Sequence, residues 1–276
     1  MLSSLHFNTI LLATFLLIFN IISILIFKKY SFSFSHAKTS DKLKNPVTII
    51  ILTAVGASLA IFAWWMFRFA SAEHYNLFIA LIFTFSWITN LFYLFRFENS
   101  LTRLVVSFIL TDILLLLVMA FPNQLLQNIY MAASLLWVGP VLLRRLKIRI
   151  ELFITFIFLF MAYDIVSVLY TTPVELTEST EVVLNGLIQF QGQILGVGDF
   201  LLAFLMINAA QHFFGKIPAL LIAIWTPLPL LLLRFVFPEM IGLILPYTLF
   251  IVPPALLIYY IWWKIKSSTH REAQTV

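Results

Sequence analysis

Three carboxylates stand inside apolar stretches of this 276-residue chain, where an ionisable side chain is costly and marks function by default. Asp112 lies in SFILTDILLLL, Asp164 in FLFMAYDIVSVLY and Asp199 in GVGDF. The neighbours of Asp112 carry no chemistry, so it reads as a buried polar group satisfied by an adjacent helix. Asp199 differs, because four of the chain's eight glycines (Gly186, Gly192, Gly196 and Gly198) fall just before it, and small residues let backbones approach closely in a membrane. Two carboxylates that share a site of low dielectric do not both ionise easily, so one keeps its proton. Such a pair holds a base that takes a proton from water as the water attacks a carbonyl. Its acid hydrogen-bonds the carbonyl oxygen and then protonates the leaving amine. Neither role can be assigned to one aspartate, since a coupled pair titrates as a unit.

The elements that must position these acids follow from composition. With 62% hydrophobic and 11% charged residues, the sequence belongs to an all-α polytopic membrane protein. Apolar runs of about 20 residues predict nine transmembrane helices. They lie near residues 8–27, 47–69, 75–94, 104–121, 124–143, 151–170, 187–208, 218–236 and 241–263. No linker or repeat divides the chain. It is read as a single membrane domain over residues 1–276, with 1–148 as scaffold and 149–276 as the catalytic part. The first span has no Lys or Arg before it and no small-residue cleavage site after it, so it is expected to stay as an anchor. Cysteine is absent, which excludes disulfides, zinc-thiolate sites and thiol nucleophiles. The five histidines are scattered, without the paired spacing that holds zinc on one helix face, and no cofactor or metal is expected. The net charge of +5 resides in short loops, which argues against a nucleic-acid partner and for a topological signal.

That signal sets the orientation. With the N-terminus outside, 15 of the 17 Lys and Arg residues fall on inner segments, leaving Arg68 and Arg234 outside. The C-terminus is then cytoplasmic, and the loop over 171–185, which carries Glu175, Glu178 and Glu181 and no base, is external. Depth also agrees: Asp164 stands about 20 Å from the inner end of the sixth span and Asp199 about 18 Å from the same side. Antiparallel neighbours would bring both carboxyls to one water.

At these positions the sequence resembles the presenilin and signal peptide peptidase family of intramembrane aspartyl proteases. Tyr163-Asp164 in the sixth span, Gly196-Val197-Gly198-Asp199 in the seventh and a later Pro-Ala-Leu look like its three motifs, on spans in the same serial positions. The resemblance implies that Asp164 and Asp199 are catalytic. Tyr163, Gly196, Val197, Gly198, Pro254, Ala255 and Leu256 would line the active site and meet substrate. Pro-Ala-Leu also occurs at Pro218-Ala219-Leu220, but there proline opens a span, where its missing N–H costs little. Pro253-Pro254 interrupts an apolar run and predicts a broken backbone at membrane depth, able to offer partners to a substrate strand. The external stretch Val174 to Val183 is expected to pair from the other side. The orientation resembles signal peptide peptidase rather than presenilin, which implies transmembrane peptide substrates of type II orientation, such as remnant signal peptides. The absence of glycosylation sequons and retrieval signals points to a microbial plasma membrane rather than an endoplasmic reticulum.

Three alternatives compete. Prepilin peptidases share a GxGD aspartate but typically follow it with Val-Lys, where this chain has Phe200-Leu201. A proton-coupled transporter also pairs intramembrane acids with a broken helix, but predicts an inverted repeat that the sequence does not show. A rhomboid-type serine protease needs GxSG, and the nearest approach, Gly56-Ala57-Ser58-Leu59, lacks the second glycine.

Overall fold

A computed structural model describes residues 4–33, 72–95, 99–121, 123–145, 148–170, 187–190, 193–236 and 247–272. The span expected over 47–69 and the loop over 171–185 lie outside the described residues. What is described is almost wholly helical, in agreement with the expected class. The order is α1 (Ser4–Ser33), α2 (Ala72–Leu94), α3 (Ser100–Ala120), α4 (Gln124–Ser134), α5 (Ile150–Tyr170), a hairpin of β1 (Leu187–Phe190) and β2 (Gln193–Gly196), α6 (Val197–Phe213), α7 (Lys216–Trp225), α8 (Leu228–Phe235) and α9 (Thr248–Glu272). Among the described residues, five stretches are long and apolar enough to cross a membrane: His6–Phe27, Ser100–Ala120, Gln124–Leu143, Lys216–Leu233 and Thr248–Ile265.

The most buried element is α6. Every residue from Leu202 to Ala210 is buried, so the helix is apolar all round and packed all round, as a central helix of a bundle must be. The chain leaves it through Gly215, whose φ of 105° only glycine adopts freely, while the N–H groups of Phe214 and Gly215 both return to the Ala210 carbonyl. This tight reversal lays α7 back along α6.

Helix α1 is no peripheral anchor. It packs against α6, α7, α8 and the hairpin, and its buried face carries Asn20 and Ser23 among phenylalanines and leucines. Asn20 Nδ2 donates to the Ala223 carbonyl at 3.1 Å and to Thr226 Oγ1 at 2.6 Å. Ser23 exchanges hydrogen bonds with the Asn208 side chain, and Gln211 Nε2 donates to the Ile24 carbonyl at 3.3 Å. Interhelical bonds of this kind contribute roughly 0.6–2 kcal/mol each in lipid. Asn208 has room because Gly139 faces it: a Cβ there would stand 2.9 Å from the Asn208 Cβ. Beyond α4 the chain passes Gly139 and Pro140 through a 3-10 turn at Leu135–Trp137 into a π turn at Val141–Arg145. Proline's missing N–H accounts for that loosened geometry.

Two expectations are corrected. The run over 187–208 is not one helix, since Leu187–Phe190 and Gln193–Gly196 pair as antiparallel strands, with Ile188 opposite Leu195 and Phe190 opposite Gln193. The cause is local: Ile188 to Gln191 alternates apolar and polar residues, and the sequence between the two strands carries a glycine, Gly192. Ile188, Phe190 and Leu195 are buried. Nor is the backbone broken at Pro253-Pro254, because α9 runs straight through both prolines. Without its N–H, Pro254 leaves the Phe250 carbonyl without a helical partner, and the Trp225 indole Nε1 donates to that carbonyl at 3.1 Å instead.

Candidate functional site

The site begins at the N-terminus of α6. Gly196 caps the helix in extended conformation (φ −62°, ψ 142°), and Asp199 is the third helical residue. Its carboxylate folds back over the cap, with Oδ2 3.1 Å from the place a Gly196 Cβ would occupy. An acid in a first turn faces the positive end of the helix dipole, and that alone would account for a carboxylate at this position. The glycines go beyond that account. Gly198 approaches α5 so closely that a Cβ would stand 3.3 Å from Phe160 Cζ.

Phe160 therefore marks where α5 meets the Asp199 turn. Asp164 lies on the same helix, four residues or about 6 Å farther along. Tyr163 and Asp164 have their backbone in α5, and their side chains lie outside the described residues. Helices α5, α6 and α9 touch one another pairwise, so the three segments that carry the motifs meet. On α9, Ala255 is buried, Pro254 is half-buried and Leu256 packs on the core. Gly198 is exposed, while Gly196, Val197 and Asp199 are partly so, which leaves the α6 N-terminus open on one side.

Residues that the sequence reading passed over complete the surroundings. Tyr247, immediately before α9, lies within electrostatic range of Asp199 and donates its hydroxyl to the Thr226 carbonyl. Thr226 in turn accepts from Asn20, so a buried polar chain runs from α1 through the α7–α8 turn to the neighbourhood of Asp199. The available signal was a set of polar residues inside apolar spans, Asn20, Ser23, Asn208 and Thr226, which in lipid seek one another. Asp112 belongs elsewhere: it lies on α3, with Tyr130 of α4 in electrostatic range. Compared with protein-family models and with curated protein sequences, the chain matches none.

Proposed function

We propose that the protein is an intramembrane aspartyl protease in which Asp164 and Asp199 activate one water against a peptide carbonyl. The observation that carries this reading is the close approach of Gly198 to Phe160, one turn from Asp164 on α5. In the proposed reaction the ionised member of the pair removes a proton from water, and the protonated member polarises the carbonyl and then protonates the departing amine. The reading includes nine transmembrane spans with the N-terminus outside, and type II segments or remnant signal peptides as substrates. A helical substrate must open before water can attack, and its freed N–H and C=O groups need partners in lipid. Helical Pro253–Leu256 does not offer them. The hairpin does, since each of two paired strands keeps one edge that the other does not bond, and β2 leads directly into Asp199.

The test is cleavage of a type II transmembrane peptide by purified protein in bilayers. Asp164→Asn and Asp199→Asn are each expected to lower turnover by about three orders of magnitude with unchanged helical content and melting behaviour. Turnover within tenfold of wild type in either variant would refute the dyad.

A second reading, a proton-coupled transporter, is favoured by the polar chain Asn20–Thr226–Tyr247 beside Asp199 and by the interruption of an apolar span at Thr226-Pro227. It predicts gradient-driven solute uptake in proteoliposomes and no cleavage.

A further inference from the structure

Buried polar groups converge on the break between α7 and α8. Pro227 has no N–H to offer the Ala223 carbonyl, and Asn20 Nδ2 and Thr226 Oγ1 donate to that carbonyl instead, at 3.1 Å and 3.2 Å. Two further bonds tie the break to the start of α9. The Trp225 indole donates to the Phe250 carbonyl, and the Tyr247 hydroxyl donates to the Thr226 carbonyl. Either tie would serve packing alone. Of the two, Tyr247 is the one within electrostatic range of Asp199.

The path of the chain brings these two residues together independently. Helix α7 folds back along α6 from Gly215, so at about 1.5 Å per residue Thr226 lies about 16 Å back from the reversal and Asp199 about 24 Å. Helix α9 runs beside α6 in the same direction: Tyr247 reaches the far end of α7, while Tyr259, twelve residues later, donates to the carbonyl of Met206, seven residues beyond Asp199. The N-terminal ends of α6 and α9 therefore share one level, and Tyr247 is buried there.

A phenol has one proton to give and lone pairs with which to accept. With its proton on the Thr226 carbonyl, the Tyr247 oxygen can meet a group at the Asp199 site only as an acceptor. In the aspartate mechanism the attacking water gives one hydrogen to the ionised carboxylate. Its other hydrogen must also be held if the oxygen lone pair is to face the carbonyl carbon. Resting on the protease reading, we propose that Tyr247 orients the attacking water, its phenol oxygen accepting the hydrogen that the aspartate does not take. The proton removed goes to the ionised aspartate, and the hydrogen held by Tyr247 stays on the oxygen that enters the new carboxyl. Tyr247 itself neither gains nor loses a proton.

The test uses purified full-length protein in phospholipid bilayers and a type II transmembrane peptide, with wild type and Asp199→Asn assayed alongside. Tyr247→Phe is expected to lower kcat about tenfold, the scale of one hydrogen bond, with KM within about twofold of wild type. Trp225→Phe is the structural control, because it removes the neighbouring tie between the same elements. It is expected to lower the melting temperature at least as far while leaving kcat within about threefold of wild type. A tyrosine fluorinated beside its hydroxyl, placed at position 247, keeps the ring, strengthens the donor to Thr226 and weakens the oxygen as an acceptor. It is expected to lower kcat about threefold with no loss of melting temperature, which a purely structural tie would not do, and it decides the matter should Tyr247→Phe fail to fold. Equal kcat losses in Tyr247→Phe and Trp225→Phe, an unchanged kcat in the fluorinated protein, or a loss confined to KM would each overturn the role given to Tyr247 and leave the dyad standing. A wild type that does not cleave the peptide, or an Asp199→Asn variant that does, would overturn the dyad and this role with it.

Discussion

Two glycines two residues apart hold the α6 N-terminus in different ways. At Gly196 an added methyl would meet the Asp199 carboxylate, the tip of a side chain rather than backbone. Gly196→Ala is therefore expected to cost only about 1 kcal/mol of stability, the difference between glycine and alanine at an N-cap, while lowering cleavage at least tenfold as the carboxylate swings out. Chemical denaturation beside the cleavage assay separates the two effects. At Gly198 the methyl would meet the edge of Phe160, so Gly198→Ala pushes α5 and α6 apart by a few tenths of an ångström. Its loss of activity is expected to be recovered in part by Phe160→Leu, and a double mutant no better than the single would show that the two residues are not coupled. The acid and both glycines were legible in the sequence, because a charge in an apolar run and a GxG spacing are local features. Phe160 and Tyr247 were not, since either acquires meaning only when a distant segment packs beside it.

Among the elements, the hairpin and α9 show where pattern reading stops. Taken as a whole, the apolar run over residues 187–208 has the length of one membrane-crossing helix, yet the alternation from Ile188 to Gln191 and the following glycine are strand signals confined to its first ten residues. At α9 the local rule held that two prolines break a helix, and a tryptophan 25 residues earlier in the chain overrode it. Trp225→Phe removes the indole donor from the Phe250 carbonyl and is expected to destabilise the fold by about 1–3 kcal/mol. Adding Pro254→Ala restores a backbone N–H to that carbonyl and should recover most of the loss, as read from melting in the same detergent. Additive destabilisation in the double mutant would disprove the compensation. Because Pro254 is helical, Pro254→Ala alone is also expected to lower cleavage of a rigid helical substrate and of one loosened by a Gly-Pro insertion by the same factor.

For the whole molecule, composition was enough to place the chain in a membrane and to predict its helical class. It could not rank the helices. The roles of Asn20 and Ser23 are not legible within the first span, because the groups they bond lie 185 to 206 residues away in the chain. Orientation remains a prediction from the distribution of basic residues, and it is directly measurable in a protein without cysteine. A membrane-impermeant thiol reagent is expected to label Ser179→Cys on intact cells and a cysteine at Thr275 only after permeabilisation. The reverse pattern would invert both the topology and the expected polarity of substrates.

The bonds from α1 to α6 and α7 also impose an order on biosynthesis. A ribosome adds about 5–20 residues per second, so roughly 10–40 s pass between the synthesis of Asn20 and that of Thr226, its partner 206 residues later. Throughout that interval the amide has entered the bilayer with no native acceptor. Insertion machinery that shelters polar helices is thus expected to matter for this protein, and Asn20→Leu should lessen its dependence on such shelter while loosening the finished bundle.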